Sequence, residues 1–397
     1  MNRLFISAAH KSSGKTTLSI GLCAALSRQP YTVQPFKKGP DYIDPLWLSA
    51  ASGRACHNLD FNTMTHDEIR FTLAHYAQDS DIALIEANKG LFDGMALDGS
   101  DSNAALAKLT QSPVVLVINT VGTTRGVAPL LLGYQAFDPD LLLAGVIFNL
   151  VGGSRHESKL RQITETYTDF PILGAVHKHP DMQIEERHLG LMPSNEQQQA
   201  QQQIQRIADL VEQQVDLPRL IQISQSAPPV PPCHYALPET HHAPTVRIGI
   251  CRDAAFAFYY PSDLIALERA GAKLITVDTL QDSHLPELDG LFIGGGFPET
   301  QMQTLSANQP LRQHIKQAIE NGLPCYAECG GLMYLAEHII WQGQSVPMVG
   351  VIPADAVMCE RPQGRGYIRL KETEHMPWAK TKRDNDTSTV IYAHEFH

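Results

Sequence analysis

The N-terminus constrains the fold most, because a short apolar run leads through a turn of small residues straight into a helical pattern. The run Arg3–Ala8 is followed by Ala9-His-Lys-Ser-Ser-Gly-Lys-Thr-Thr, and an amphipathic pattern opens at Leu18. A phosphate-binding loop needs this order: small residues let backbone N–H groups turn toward phosphate, a lysine binds the β/γ-phosphates, and a hydroxyl group binds Mg²⁺. We therefore predict an ATP site formed by Gly14, Lys15, Thr16 and Thr17, with Thr16 also a ligand of Mg²⁺.

Two positions of this loop depart from the usual motif. Ala9 stands where the first glycine normally lies, and Lys11 adds a second lysine ahead of the Gly-Lys-Thr sequence. The extra lysine resembles the variant loop of the ParA/MinD and dethiobiotin synthetase group, which implies that Lys11 also contacts the nucleotide.

Four acidic residues follow the loop at positions suited to a nucleotide site. Asp41 and Asp44 lie in the Gly/Pro-rich turn Lys38-Gly-Pro-Asp-Tyr-Ile-Asp-Pro; Glu86 ends the apolar run Ile82–Glu86, and Asp93 lies just beyond it. Acids at the carboxyl ends of parallel strands face the crevice where ligands bind in open α/β sheets. We predict that these carboxylates hold Mg²⁺ and shape the site of the second substrate.

The chain alternates short apolar runs with helical stretches, which predicts α/β architecture with parallel sheets. Runs at Arg3–Ala8, Ile82–Glu86, Val114–Asn119 and Leu143–Asn149 are typical of buried strands. We expect a P-loop domain over residues 1–193 and a helix with a proline-rich linker over 194–245. The second domain is expected over 246–397, with strands at 246–251, 273–277, 290–293, 323–327 and 389–393.

A cysteine in the second half lies between a strand and a helix. Cys329 is followed directly by Gly330 and Gly331 in Leu323-Pro-Cys-Tyr-Ala-Glu-Cys-Gly-Gly-Leu. Such a sharp turn presents a nucleophile, and the helix start is expected to lower the pKa of the thiol. The glycine loop after residue 292 turns N–H groups toward an oxyanion, and the predicted donors are those of Gly295, Gly296 and Gly330. His394 and His397 are the candidate bases; strand alternation places them on opposite faces, so only one can meet the thiol.

Composition excludes several classes of partner. The 31 basic and 42 acidic residues give a net charge of −11, without the basic stripe that nucleic-acid binding requires. No apolar run is long enough to span a membrane, and the N-terminus lacks a signal-peptide pattern. The seven cysteines are scattered and do not form a zinc motif, which is typical of reduced thiols in a cytoplasmic protein.

Taken together, these motifs resemble the CobB/CbiA family of cobyrinic (or hydrogenobyrinic) acid a,c-diamide synthases. The similarity covers the whole chain apart from the glutamine- and proline-rich link. It rests on the phosphate loop, on the turn that carries Cys329 (the cysteine elbow), and on further long, unusual stretches. These are Gly39-Pro-Asp-Tyr-Ile-Asp-Pro, Arg54-Ala-Cys-His-Asn-Leu-Asp, Gly90-Leu-Phe-Asp-Gly, Arg187-His-Leu-Gly-Leu, Arg252-Asp-Ala-Ala-Phe-Ala-Phe-Tyr-Tyr-Pro, Gly294-Gly-Gly-Phe-Pro-Glu and His394-Glu-Phe-His.

The resemblance implies ATP-dependent amidation of the a- and c-side-chain carboxylates of cobyrinic acid in cobalamin biosynthesis. Ammonia would come from glutamine in a class I glutamine amidotransferase-like domain, and the carboxylate would be activated as an acyl phosphate. It implies Cys329 as nucleophile, His397 as its base and Mg²⁺·ATP binding by Thr16, Asp41 and Glu86. Asp93 would lie near the substrate carboxylate, and we also expect Asp44 at the substrate.

Three positions differ from the family pattern. Ala393 replaces a glycine, Glu86-Ala-Asn-Lys-Gly replaces Glu-Gly-x-Met-Gly, and the chain stops at His397 where relatives continue, so we expect a C-terminally short second domain. Two alternatives stay open. One is the same chemistry on a sirohydrochlorin-type tetrapyrrole polycarboxylate. The other is a homodimeric, MinD-like ATPase switch, in which Lys11 reaches the partner's nucleotide and the amidotransferase domain is degenerate.

Overall fold

The apolar runs of the first half form the strands of one parallel sheet. The computed structural model describes residues 1–184, 194–237, 240, 245–361, 363–371 and 390–396, and clusters into a mainly N-terminal and a mainly C-terminal unit. The N-terminal sheet has seven parallel strands in the order β3-β2-β4-β1-β5-β6-β7. Their bounds are β1 (Arg3–Ala8), β2 (Val33–Lys38), β3 (His57–Leu59), β4 (Ile82–Glu86), β5 (Val114–Asn119), β6 (Leu143–Val151) and β7 (Ile172–His177).

Helices connect these strands, as parallel pairing requires. They are α1 (Lys15–Arg28), α2 (Ile43–Ser52), α3 (His66–Ala77), α4 (Asn103–Leu109), α5 (Val127–Phe137) and α6 (Ser154–Tyr167). After β7 come a 3₁₀ turn at Pro180–Met182 and two further helices, α7 (Ser194–Gln214) and α8 (Leu217–Gln225). Local sequence sets some of the helix ends. Thr65 and Glu68 form a reciprocal capping box at the start of α3, which satisfies two backbone N–H groups that the helix leaves unpaired.

The glutamine-rich segment forms the helix that its spacing predicts, and α7 packs closely on the N-terminal unit. Ile204, Ile207 and Val211 on α7 are fully buried in the same core as the apolar face of α1. The two helices approach closely at Gly21 of α1, where an added Cβ atom would lie 2.5 Å from Cγ2 of Val211. Only glycine fits at that crossing.

A second parallel sheet of four strands organises the C-terminal unit, in the order β10-β8-β11-β13. The strands of this half are β8 (Val246–Cys251), β9 (Phe256–Phe258), β10 (Ala272–Val277), β11 (Gly290–Ile293), β12 (Gly295–Gly296), β13 (Cys325–Ala327), β14 (Ala336–Trp341), β15 (Gln344–Pro347), β16 (Ile352–Val357), β17 (Arg365–Lys371) and β18 (Val390–Phe396). The helices are α9 (Pro261–Arg269), α10 (Met302–Ala307), α11 (Gln309–Glu320) and α12 (Gly330–Leu335), with a 3₁₀ turn at Pro298–Gln301.

The two parallel sheets confirm the α/β fold class predicted for both halves. The predicted last strand differs from expectation, because β18 pairs antiparallel with β17 in a separate two-stranded sheet instead of extending the parallel one. Strands β9 and β12 form a second small antiparallel sheet. Strand β14 lies between β15 and β16 in a mixed sheet, antiparallel to β15 and parallel to β16. Within the described ranges, no helix combines the length and apolar character that crossing a membrane requires.

Candidate functional site

The predicted phosphate loop lies between β1 and α1, and close packing fixes its backbone. Gly14 adopts a left-handed conformation with φ of 75°, and an added Cβ atom would lie 2.2 Å from Nδ2 of Asn149. The same Nδ2 atom donates a hydrogen bond of 2.8 Å to the carbonyl oxygen of Ser13. Asn149, near the end of β6, therefore supports the loop from a neighbouring part of the sheet, a role that the sequence did not suggest.

The loop lysine and threonine meet the carboxylate of Glu86 at the end of β4. Lys15 Nζ lies 2.6 Å from Glu86 Oε1, and Thr16 Oγ1 donates to the same oxygen at 2.7 Å. Thr16 Oγ1 also lies 3.2 Å from Oδ2 of Asp44, which is in the first turn of α2. The structure thus brings together residues that are up to 71 positions apart in the sequence.

A second buried lysine, which sequence reasoning missed, completes this cluster. Lys37 Nζ contacts Oδ2 of Asp44 closely and lies 3.3 Å from Oε1 of Glu86 and 3.6 Å from Oδ2 of Asp41. Its strand β2 pairs with β4 so that Lys37 is opposite Glu86. The available signal was the pair Lys37-Lys38 directly before the Gly/Pro turn, which is unusual at the end of a buried strand.

Burial and mutual charge shift the proton affinities of this cluster. Burial lowers the pKa of Lys15 although Glu86 opposes the effect, whereas the carboxylates of Glu86, Asp44 and Asp41 outweigh burial at Lys37 and raise its pKa. Burial raises the pKa of Asp41 to about 6. Burial acts in the same direction at Asp44, but the adjacent Lys37 ammonium prevails and lowers the pKa of Asp44.

The cluster has the chemistry of a nucleotide and divalent-cation site. Carboxylate and hydroxyl oxygens are the ligands that Mg²⁺ prefers, and Thr16, Asp41 and Glu86 supply them, with the carboxylate of Asp44 beside them. Glu86 Oε2 is fully buried and has no hydrogen-bond partner in the described structure. A buried carboxylate oxygen without a partner is costly, so this atom is suited to a ligand from outside the chain. The residues therefore fit Mg²⁺·ATP.

The other predicted residues of this half occupy more open positions. Lys11 is exposed, and Thr17 is half-buried in the first turn of α1. Asp93 is exposed, and its Oδ2 accepts a hydrogen bond of 2.9 Å from the backbone N–H of Gly90, which closes the turn after β4. Gly90 must be small there, because an added Cβ atom would lie 2.8 Å from the carbonyl oxygen of Ala9 in the phosphate loop.

In the C-terminal unit, Cys329 occupies a strained turn between β13 and α12. Its φ of 49° and ψ of −117° are unusual for a residue with a side chain. The turn is tight because an added Cβ atom on Gly331 would lie 2.3 Å from the carbonyl oxygen of Ile293 at the end of β11. This geometry presents the thiol at the surface, where Cys329 is exposed.

Backbone N–H groups from two glycines converge on the thiol. Although the residue as a whole is exposed, the atoms packed around its sulfur partly desolvate the thiol and raise the pKa of Cys329, while hydrogen bonds from the N–H groups of Gly330 and Gly296 act in the opposite direction. The predicted net lowering of this pKa is therefore wrong, since burial prevails. Gly295 belongs to the same loop, and its Cβ position would be 3.2 Å from Cβ of Cys329. The predicted oxyanion residues thus surround the nucleophile.

Of the two candidate bases, the structure describes only His394. His394 lies in β18, opposite Tyr367 of β17, and burial lowers its pKa. His397 lies outside the described residues.

Both halves of the chain are similar to domains of known families. Residues 5–192 match the model of the CobQ/CobB/MinD/ParA nucleotide binding domain, and residues 247–397 match the CobB/CobQ-like glutamine amidotransferase domain. The chain is 43% identical to the cobyrinate a,c-diamide synthase of Magnetococcus marinus over 400 residues, covering 100% of this chain and 84% of the relative. The enzymes of the same name from Dehalococcoides mccartyi and Listeria monocytogenes are 39% and 38% identical, with 100% of this chain and 85% and 87% of the relatives covered.

Proposed function

This chain belongs to the CobB/CbiA family of cobyrinate a,c-diamide synthases, and from that membership we propose that it amidates the a- and c-side-chain carboxylates of cobyrinic acid. ATP supplies the energy, glutamine supplies the nitrogen, and the reaction belongs to cobalamin biosynthesis in the cytoplasm. One observation carries the proposal: a strained cysteine elbow and a phosphate loop with converging carboxylates occur in the same chain.

Glutamine hydrolysis belongs to the Cys329 site. The Cys329 sulfur attacks the side-chain amide carbon of glutamine, and the N–H groups of Gly296 and Gly330 stabilise the oxyanion, with Gly295 shaping the loop. His397 accepts the thiol proton and returns it to the leaving nitrogen, so that ammonia departs and a thioester remains. Water then releases glutamate and regenerates the thiol.

Amidation belongs to the phosphate loop. Gly14, Thr17 and Lys11 bind the ATP phosphates, and Lys15 neutralises the negative charge that develops on the transferred phosphoryl group. The tetrapyrrole carboxylate, which lies near Asp93 and Asp44, attacks the γ-phosphorus of ATP, so that an acyl phosphate forms and ADP leaves. Ammonia then attacks its carbonyl carbon, which forms the carboxamide and releases phosphate.

Thr16, Asp41 and Glu86 would hold Mg²⁺ at this site, and the ion would supply additional charge neutralisation at the phosphates. The partly unsatisfied carboxylate of Glu86 supports this assignment. Because these residues come from three different elements, the site is formed only when β4, α1 and the turn before α2 are all in place.

The test combines two nitrogen sources with a panel of tetrapyrrole polycarboxylates. Products are identified by mass spectrometry, since each amidation changes the mass by about 1 Da and removes one ionisable carboxyl group. We expect two amidations of cobyrinic acid. Product formed only from a sirohydrochlorin derivative would contradict the proposed substrate.

Two variants separate the half-reactions. Cys329→Ser should abolish glutamine-dependent product but retain ammonia-dependent product, whereas Lys15→Ala should lose both. A Lys15→Ala variant with near-normal ammonia-dependent rates would contradict the assignment of the phosphate site.

A further inference from the structure

Lys37 lies where three carboxylates converge. Its Nζ atom contacts Oδ2 of Asp44 closely and lies within 3.6 Å of oxygens from Glu86 and Asp41, and it is 3.3 Å from the backbone carbonyl oxygen of Ala87. The Lys37 side chain is only 2% exposed. An ammonium group so placed acts as the internal counter-ion of the carboxylates.

The charges of the cluster explain why a counter-ion is needed. Asp41, Asp44 and Glu86 contribute three negative charges, whereas Lys15 and Lys37 contribute two positive ones. Carboxylates this close repel one another strongly at a buried site unless a cation lies between them. Lys37 meets all three, whereas Lys15 forms its short ion pair with Glu86 alone.

A divalent cation bound to the same carboxylates needs the space that Lys37 Nζ fills. Mg²⁺ binds oxygen ligands at about 2.1 Å, so an ion shared by these carboxylates would lie against the ammonium group. The Mg²⁺ ion and the Lys37 ammonium group would repel each other strongly in contact at a buried site. The ammonium group must therefore move away when the ion binds.

We propose that Lys37 is a tethered counter-ion, which holds the divalent-cation site together in the nucleotide-free protein and is displaced when the ion binds. The inference rests on the proposed function, because that function places an ion among these carboxylates. The backbone of Lys37 is fixed in β2, paired with β4 at Glu86, so only the side chain moves. After displacement its ammonium group stays at the same sheet edge and is available to an anionic substrate group.

The neighbouring Lys38 provides a matched control. Lys38 is also buried, and adjacent residues of a strand point to opposite faces. Its Nζ atom donates a hydrogen bond of 2.7 Å to the carbonyl oxygen of Asp101. Lys38→Met therefore removes the same charge from the same strand without removing the counter-ion of the cluster.

The experiment measures Mn²⁺ binding to the full chain without nucleotide, by electron paramagnetic resonance of the free ion. We expect Lys37→Met to bind Mn²⁺ at least about tenfold more tightly than the wild type, because the competing ammonium group is gone. Lys38→Met should bind as the wild type does. Equal or weaker binding by Lys37→Met would overturn the inference.

Thermal unfolding with and without Mn²⁺ covers the case in which Lys37→Met folds poorly. Lys37→Gln is the second variant, since its amide keeps a hydrogen-bond donor without the charge. Mn²⁺ should raise the melting temperature of either variant more than that of the wild type; an equal rise in all three proteins would also overturn the inference.

Glu86→Gln separates this inference from the proposed function. In the Lys37→Met background, Glu86→Gln should remove the gain in Mn²⁺ affinity. If Glu86→Gln leaves Mn²⁺ binding unchanged, the assigned ion site is wrong. If binding depends on Glu86 but is the same with and without Lys37, only the role of Lys37 fails.

Discussion

The close packing of the cysteine elbow predicts that adding one methyl group, in Gly331→Ala, slows glutamine-dependent amidation. A Cβ atom added there would lie 2.3 Å from the carbonyl oxygen of Ile293 and 2.9 Å from its carbonyl carbon. Ile293 ends β11, which is held between β8 and β13, so its backbone cannot yield. To restore a separation of 3.0 Å, the start of α12 must move by about 0.7 Å (3.0 minus 2.3).

That displacement acts directly on the neighbouring nucleophile. Cys329 precedes the glycine pair, and its sulfur is aligned with the N–H groups of Gly296 and Gly330. Because misplacing a reacting group by about 1 Å can cost roughly a hundredfold in rate, Gly331→Ala should slow glutamine-dependent amidation by on the order of 10- to 100-fold. Amidation driven by free ammonia should be unchanged, since it does not use the thiol.

The assay follows glutamate release from glutamine and, separately, amide product formed from ammonium chloride. Gly290→Ala is the control, because its added Cβ atom would meet only the carbonyl oxygen of Pro324 at 3.7 Å, an ordinary contact in the same sheet. Circular dichroism melting checks that both variants fold. A folded Gly331→Ala protein with a normal glutaminase rate would refute the argument that close packing positions the thiol.

Three further predictions concern other groups. Because burial raises the pKa of Cys329, its alkylation by iodoacetamide should accelerate about tenfold per pH unit between about pH 6 and about pH 8; a rate that is already constant below neutral pH would contradict this. His397→Asn should slow glutamine-driven turnover strongly and spare ammonia-driven turnover, whereas His394→Asn should do much less; the reverse result would show that the family register is shifted. Arg3 is buried and donates to four backbone carbonyl groups, including that of Pro228. Arg3→Met should therefore lower the free energy of unfolding by about 3 kcal/mol in urea titrations, and a loss below about 1 kcal/mol would contradict the reasoning.

The strands that sequence predicted best are those built mainly of apolar residues. Arg3–Ala8, Ile82–Glu86 and Val114–Asn119 have the predicted bounds, because strands buried on both faces of a parallel sheet are largely apolar. Strand β2 escaped prediction, since Val33-Gln-Pro-Phe-Lys-Lys contains a proline and two lysines. Its two lysines are buried because Glu86 and Asp101, from distant parts of the chain, supply oxygen partners for the ammonium groups of Lys37 and Lys38.

In the candidate sites too, the features set by local sequence were predicted and those set by the sheet order were not. The phosphate loop and the cysteine elbow are continuous in sequence, and local turn chemistry was enough to predict their geometry. The meeting of Lys37 with Glu86 depends on β2 lying beside β4 in the sheet order, which no local pattern specifies. The direction of the Cys329 pKa also could not be predicted, since the burial that dominates it comes from the folded surroundings of the thiol.

The packing of α7 against α1 has a consequence for dissecting the molecule. A fragment that ended at residue 193 would lack Ile204, Ile207 and Val211, and the face of α1 around Gly21 would be bare to water. Each exposed aliphatic side chain of that size weakens folding by roughly 1.5–3 kcal/mol, a large part of the stability of an ordinary domain. Leu217 and Leu220 of α8 belong to the same core, and the carbonyl oxygen of Pro228 accepts a hydrogen bond from Arg3. The smallest N-terminal piece that keeps its nucleotide loop in shape therefore extends through Pro228, and a protease that cuts after residue 228 should release a piece that still binds ATP.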